Sequence, residues 1–327
     1  MKVLISIQQS VKAWQIPSEG VERLRERFPD ISFTHATDDR TRAAALRDCE
    51  VAYTWIMSAD EVSAATNLKW VHTSAVAVET LALSELFARN IIVSNSRGVQ
   101  STPIAEHVFA VLLALAKRLP FIIENQRQRR WVQNELIGDQ LPWLLRRRTL
   151  GLIGVGTIGV EIALMADAFG MHVIGVRRRT INHPVPGVHE LLAFHELDEM
   201  LARADVVVIA APLTPETTDM IGASQLARMK RGAVLINVGR ARIVDHLALN
   251  DALRSGHLGG ASLDVFHREP LPADDPLWSA PNVILTPHTS GFRQGHWDDV
   301  IDLFAENLER FRRGVSVRFR VEPERGY

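Results

Sequence analysis

Four side chains in the second half of the chain offer the clearest chemistry. Arg240 stands just beyond the apolar run in "LINVGRARIVD". Asp264 ends the run in "GASLDVFHREPLP", Glu269 follows five residues later, and His288 ends the run in "NVILTPHTSG". A guanidinium is a planar fork of donors that fits a carboxylate, or an oxygen on which negative charge develops. An imidazole beside a carboxylate is an acid and a base near neutral pH, because the carboxylate favours the protonated ring. Taken singly, Arg240 could pair with a surface carboxylate, Asp264 could cap a turn, and Glu269 before Pro270 could face solvent. Their placement argues otherwise: all sit where strands end, and open parallel α/β sheets gather ligands beyond the carboxyl ends of their strands.

The elements that must position them are legible as alternating strand and helix patterns. Through about residue 95 the runs "KVLISI", "ISFTH", "VAYTW", "LKWVHT" and "IIVSN" alternate with helical stretches such as "EGVERLRERF" and "RTRAAALRD", the pattern of a parallel α/β unit. A strong helix then starts at "STPIAEHVFAVLLALAKRL", with Thr102 as cap and Pro103 in the first helical position. It is apolar almost all round and so should be buried. Phe121 to Arg148 is polar, with Trp131 and Trp143 among charges, and reads as an excursion suited to an oligomer contact. A second strand series follows: "TLGLIGV", "HVIGVR", "DVVVIAA", "GAVLINVG", "GASLDVF" and "NVILTPH". One more helix, "WDDVIDLFAENLERFRRG", precedes a polar tail. The predicted fold is α/β, with two Rossmann-like doubly wound parallel-sheet domains and a cleft between them. Residues 1–98 and 292–327 form one domain and residues 99–291 the other, and cleft closure would exclude water.

Gly154, Gly156 and Gly159 form G-x-G-x-x-G between the strand "TLGLIGV" and a helical pattern that places Ile158, Ile162, Met165 and Phe169 on one face. In this context the first glycine permits the tight turn, the second admits a pyrophosphate and the third lets helix and sheet pack closely. The next strand should end in an acidic residue that holds the ribose hydroxyls of NAD. It ends instead in Arg177, Arg178 and Arg179. A carboxylate there would repel the 2′-phosphate of NADP, whereas guanidinium groups accept it. Arg177 and Arg178 are therefore assigned to that phosphate and Arg179 to solvent. The cofactor expected is NADP(H) by preference, with NAD(H) as the second choice.

Bulk properties narrow the class. The 327 residues carry a formal net charge of −1, so the arginine run is local and not part of a basic surface for nucleic acid. One cysteine, Cys49, excludes an internal disulfide framework, and no histidine–cysteine cluster suggests a metal. The opening "MKVLISIQQ" is too short an apolar run for a signal peptide, and "PIAEHVFAVLLALA" is too short and too charged to span a bilayer. A cytoplasmic protein without a membrane partner is expected. Of the twelve histidines, His72, His107, His267 and His296 are weaker pocket candidates than His288, and most read as surface or satisfied interior side chains.

The ordered set "GLIGVGTIG", "APLTPETTDMIG", "LINVGRARIVD", "GASLDVFHREPLP" and "TPHTSG" resembles the D-isomer-specific 2-hydroxyacid dehydrogenase family from about residue 50 to the end. The closest look is to its glyoxylate/hydroxypyruvate reductase-like branch. The resemblance implies NAD(P)H-dependent reduction of a 2-oxo acid to the D-2-hydroxy acid. In it Arg240 binds substrate, His288 is the acid/base, Glu269 is its partner, and Asp264 lies on the nicotinamide side. It further implies cofactor contacts from Gly154, Gly156, Thr157, Ile158, Gly159, Pro212, Thr214, Val238, Gly239 and Ser290, and a homodimer using "FIIENQRQRRWVQNELIGDQLPW". Reduction would then need protonated His288 and oxidation the neutral ring.

The chain departs from the family in two places. Where a glycine-rich loop usually grips the substrate carboxylate, "HTSAVAVETL" has Ala75, Val76, Ala77 and Val78. Backbone donors survive that replacement, but a positive φ would be costly at Val76, and these side chains should narrow the substrate pocket. Ala241 replaces a usual glycine and is tolerated if its backbone is helical or extended. Trp297 on the last helix is a further candidate for reaching the cleft, with packing as its alternative. Two rival functions share this fold. A nucleotide-sensing interaction protein of the same fold would need a partner-binding groove or tail, and none is evident; a formate dehydrogenase-like activity is disfavoured because that branch carries glutamine where Glu269 stands.

Overall fold

The short aliphatic runs of the first hundred residues form five parallel strands. They are β1 (Lys2–Ser6), β2 (Ser32–His35), β3 (Val51–Thr54), β4 (Trp70–Thr73) and β5 (Ile92–Asn95), in the spatial order β2-β1-β3-β4-β5. Helices α1 (Ser18–Arg27), α2 (Asp39–Leu46), α3 (Ala59–Ala64) and α4 (Leu83–Ala88) connect them. The structure, a computed structural model, describes residues 1–178 and 183–323. Contacts divide the chain into two units, Met1–Gln100 with Phe292–Tyr327, and Ser101–Gly291.

In the first unit side chains alternate across the sheet, as the pleat requires. Val3, Ile5, Tyr53 and Trp70 face one core, and Leu4, Ala52, Val71 and Val93 face the other, against α2 to α4. Local caps fix the helix starts: the Asp38 carboxylate accepts from Thr41 N, and Ser58 with Glu61 forms a reciprocal capping box at α3.

The second unit opens with α5 (Ser101–Ala116) and α6 (Leu119–Arg127). α5 begins at Ser101, so Thr102 is inside the helix and not its cap. Pro103 is accommodated because the first four N–H groups of a helix have no intrahelical partner to lose. β6 (Thr149–Ile153), α7 (Thr157–Ala168), β7 (His172–Arg177), β8 (Glu190–Ala193), α8 (Leu197–Arg203), β9 (Val206–Ile209) and α9 (Ala223–Arg228) follow. The unit is completed by β10 (Val234–Asn237), α10 (His246–Arg254), β11 (Gly260–Leu263) and β12 (Val283–Leu285). All seven strands are parallel, in the order β12-β11-β10-β9-β6-β7-β8. The edge strand β8 had no signal in the sequence: its four residues "ELLA" are only half-buried and lack β-branching. The buried residues of α7 are Gly159, Ile162, Ala163 and Ala166; of the expected stripe, Ile162 is buried, Ile158 and Met165 pack partly buried against the same core, and Phe169, just past the helix, is exposed. Small residues let the helix lie close to the sheet.

The chain then rejoins the first unit as α11 (His296–Arg312), whose Phe304 stacks on Tyr53 and Trp70 with ring centroids 4.1 and 5.5 Å apart. The segment after α11 is not a loose polar tail throughout. Asn95 N donates to Phe319 O and Val321 N to Val93 O, so residues 319–321 run beside β5. No helix among the described residues is long and apolar enough to cross a membrane.

Candidate active site

β6 lies between β7 and β9, where the strand order reverses and an open α/β sheet leaves a crevice at its carboxyl end. The glycine fingerprint occupies that point. Gly154 has φ +97°, and a Cβ there would lie 2.7 Å from Ala211 N; a Cβ on Gly159 would lie 2.2 Å from Gly154 O. Neither position takes a side chain. A Cβ on Gly156 would meet nothing within 4 Å, so its absence leaves open space beside the helix start. Gly156 is the N-cap of α7 and no side chain caps the helix. The N–H groups of Thr157, Ile158 and Gly159 therefore have no intrahelical acceptor, and the positive end of the helix dipole adds to them. Open space, unused donors and a favourable dipole fit a dinucleotide pyrophosphate.

β7 delivers the arginines beside this turn. Arg177 is half-buried and has no carboxylate partner among the described residues, while Arg178 lies 3.9 Å from Glu216. Arg179 lies outside the described residues. Beyond β9, Thr217 organises the loop that carries Pro212 and Thr214: its hydroxyl donates to Pro212 O at 2.8 Å and accepts from Thr214 N at 2.8 Å. Val238 and Gly239, after β10, are buried, and a Cβ on Gly239 would lie 2.8 Å from Ala211 O.

Arg240 is held from behind by a residue the sequence reading missed. The amide of Asn237, at the end of β10 and almost fully buried, accepts from Gly239 N at 3.0 Å and donates to Arg240 O at 3.1 Å. The Arg240 guanidinium donates to Gly239 O at 2.9 Å. Ala241 opens a single 3-10 turn, Ala241–Ile243, so the usual glycine is not required. His267 Nε2 lies 3.2 and 3.1 Å from the carbonyls of Ala241 and Val244 and braces that turn.

The His288 turn is clamped in the same manner. Its backbone is left-handed, with φ 54°, an uncommon conformation for a side chain of this size. Asp264, 1 % exposed, holds it: Oδ1 accepts from the Thr286 hydroxyl at 2.7 Å and from Thr289 N at 2.9 Å, and Oδ2 accepts from Ser290 N at 3.0 Å. Because the Thr286 hydroxyl donates to Asp264, its oxygen accepts from His107 Nε2, 3.3 Å away. Burial lowers the pKa of His107 against the pull of the Asp264 carboxylate. The Glu269 carboxylate orients the ring itself: Oε1 accepts from Phe266 N at 3.0 Å and Oε2 lies 2.8 Å from His288 Nδ1. Nδ1 is thereby committed to the carboxylate and Nε2 remains for proton transfer, on a side chain about half exposed.

In the first unit, Ala75 to Val78 follow β4. No residue among them has positive φ, so the loop dispenses with glycine without backbone strain. Trp297 donates its Nε1–H to Ala13 O at 3.0 Å and packs against the core shared by β1, α1 and α11. His72 and His296 are interior side chains.

Residues 109–290 match the family model described as the D-isomer specific 2-hydroxyacid dehydrogenase, NAD binding domain. The chain belongs to this family. A glyoxylate reductase of Korarchaeum cryptofilum is 34% identical over 308 residues, 92% of this chain and 91% of the relative. Glyoxylate/hydroxypyruvate reductase B of Pectobacterium carotovorum is 36% identical over 267 residues, 81% of this chain and 82% of the relative. Among solved structures, a probable 2-hydroxyacid dehydrogenase of Rhizobium etli, in complex with NADP, superposes with a TM-score of 0.82. It is 29% identical and covers 100% of this chain and 99% of its own. This 2-hydroxyacid dehydrogenase is thus an NAD(P)-dependent oxidoreductase built from two parallel-sheet α/β domains.

Proposed function

We propose that the protein is an NADP-preferring 2-oxoacid reductase forming D-2-hydroxy acids, with His288 as proton donor. The observation that carries this reading is the Glu269–His288 pair. The Nδ1 contact of 2.8 Å fixes the ring and leaves Nε2 available, on a turn that a buried carboxylate holds in a strained conformation. When bound, the reduced nicotinamide supplies a hydride to the substrate's carbonyl carbon. His288 Nε2 gives its proton to the carbonyl oxygen, and Glu269 stabilises the ring while it is charged. Arg240 orients the substrate's carboxylate and polarises its carbonyl. In the first unit, the loop Ala75–Val78 offers backbone donors of the kind a carboxylate takes. Asp264 and Ser290 hold the His288 turn on the cofactor side.

Preference for NADPH rests on Arg177 and Arg178 at the end of β7, where a ribose-binding carboxylate would otherwise stand. Assembly as a homodimer is supported by exposed apolar side chains along one stretch of the second unit: Phe121, Ile123, Trp131, Ile137, Leu141 and Leu144. A cytoplasmic location accords with the single buried thiol, Cys49.

Purified protein offered NADPH or NADH with glyoxylate, hydroxypyruvate and bulkier 2-oxo acids should oxidise NADPH faster with at least one of them. Arg240→Ala should abolish turnover while sparing cofactor binding. Absence of cofactor oxidation across neutral pH would overturn the enzymatic reading.

A further inference from the structure

The loop after β4 is bound to β5 by its carbonyl oxygens. The Asn95 amide Nδ2 donates to Val76 O at 2.7 Å, Ser96 N donates to Ala75 O at 2.9 Å, and the Ser96 hydroxyl donates to Thr73 O at 3.0 Å. Asn95 and Ser96 are each 1 % exposed. Among the described residues, the backbone N–H groups of Val76, Ala77 and Val78 donate to no protein acceptor, and the Ser74 hydroxyl is buried without a partner. The loop's carbonyls are thus engaged from β5 while three successive N–H groups have no protein acceptor, an array suited to an anion.

Behind Ser96 runs a directed chain that fixes its own polarity. The Ser96 hydroxyl hydrogen is spent on Thr73 O, so its oxygen accepts from His72 Nε2, 3.3 Å away. His72, fully buried and neutral, then has Nδ1 as an acceptor for the Ser94 hydroxyl at 2.7 Å. The Ser94 oxygen in turn accepts from Trp70 Nε1 at 2.9 Å. Each hydroxyl and ring nitrogen has one assigned role, and the chain ends on the loop.

We infer that Asn95 and Ser96 are positioning residues: by holding the carbonyls of Thr73, Ala75 and Val76 they aim the N–H groups of Val76 to Val78 at the substrate's carboxylate. This rests on the reading of the protein as a 2-oxoacid reductase. Neither residue touches the reacting atoms; each sets the direction of donors that do the binding. Asn95→Asp keeps the size and replaces the donor facing Val76 O with an acceptor, so it should turn the loop. Asn95→Ala and Ser96→Ala remove single contacts without adding charge.

Initial rates with glyoxylate at saturating NADPH test the inference, together with inhibition by oxalate and direct titration of NADPH. Asn95→Asp should raise KM for glyoxylate and Ki for oxalate at least tenfold, with kcat changed less than threefold and NADPH affinity unchanged. Asn95→Ala should show the same split at smaller amplitude, and it serves if the aspartate variant does not fold. Wild-type turnover with KM unaltered in the variants overturns the positioning role alone, as does an equal fall in kcat, substrate affinity and NADPH affinity, which marks a merely structural role. Wild-type protein that neither oxidises NADPH nor binds oxalate overturns the reductase reading and this inference with it.

Discussion

At the scale of single residues, the proposed site is a set of side chains each gripped by a quieter neighbour. Glu269 fixes the ring of His288, Asp264 fixes its backbone, and Asn237 fixes the backbone of Arg240. The proposed reactive members were legible because arginine, glutamate and histidine recur together beyond the ends of successive strands, although each taken singly has ordinary uses. Asn237, Thr286, Asn95 and Ser96 were not, because a buried amide or hydroxyl that satisfies backbone groups looks in sequence like any strand-end polar residue. The arginines after β7 belong to this scale too. A charge-assisted hydrogen bond contributes about 1.5 to 3 kcal/mol, and Arg178 already has Glu216 3.9 Å away, so Arg177 should carry the larger share. Replacing both arginines with alanine should weaken NADPH at least tenfold in a fluorescence titration and leave NADH nearly unchanged. Equal losses for both cofactors would mean that the arginines only shape the strand end.

At the scale of elements, the turn between β6 and α7 separates packing from binding. A Cβ at Gly159 runs into Gly154 O at 2.2 Å, while one at Gly156 meets only open space. Gly159→Ala should therefore cost several kcal/mol of stability through overpacking. Gly156→Ala should stay within about 1 kcal/mol of wild type yet weaken NADPH and NADH alike. Chemical denaturation and cofactor titration of the two variants decide this; a Gly156→Ala protein with undiminished affinity would remove the pyrophosphate from that space. The sequence showed this turn clearly because glycine spacing is dictated by backbone approach. The strands were equally plain, since β9 is a continuous buried aliphatic run and β10 is one up to Asn237. Less was visible where packing decides. β8 is only half-buried and has no β-branched residue to announce it, and the inner face of α7 mixes the large Ile162 with small Gly159, Ala163 and Ala166. The substrate loop read as a departure from a glycine-rich pattern, but its conformation needed no glycine.

At the scale of the whole molecule, buried histidines tie stability to pH. Burial lowers the pKa of His72 to about 3 and that of His296 to about 4, from an ordinary 6.5. The unfolded chain then binds protons that the native state refuses, so stability is complete above pH 6.5 and is lost as pH falls toward those values. Between pH 7 and pH 5 His72 should cost about 2 kcal/mol at 1.36 kcal/mol per unit, with His296 acting in the same sense. Denaturation of wild type and His72→Gln at both pH values should show the variant losing less; identical losses would contradict a neutral interior ring. The proposed chemistry depends on a different histidine, and it is tested by steady-state NADPH oxidation with a 2-oxo acid by His288→Gln, with NADPH affinity titrated in parallel. With His288 as proton donor, kcat should fall about 10²- to 10⁴-fold with cofactor affinity within twofold of wild type. A variant that turns over at the wild-type rate while binding NADPH normally would contradict His288 as the proton donor.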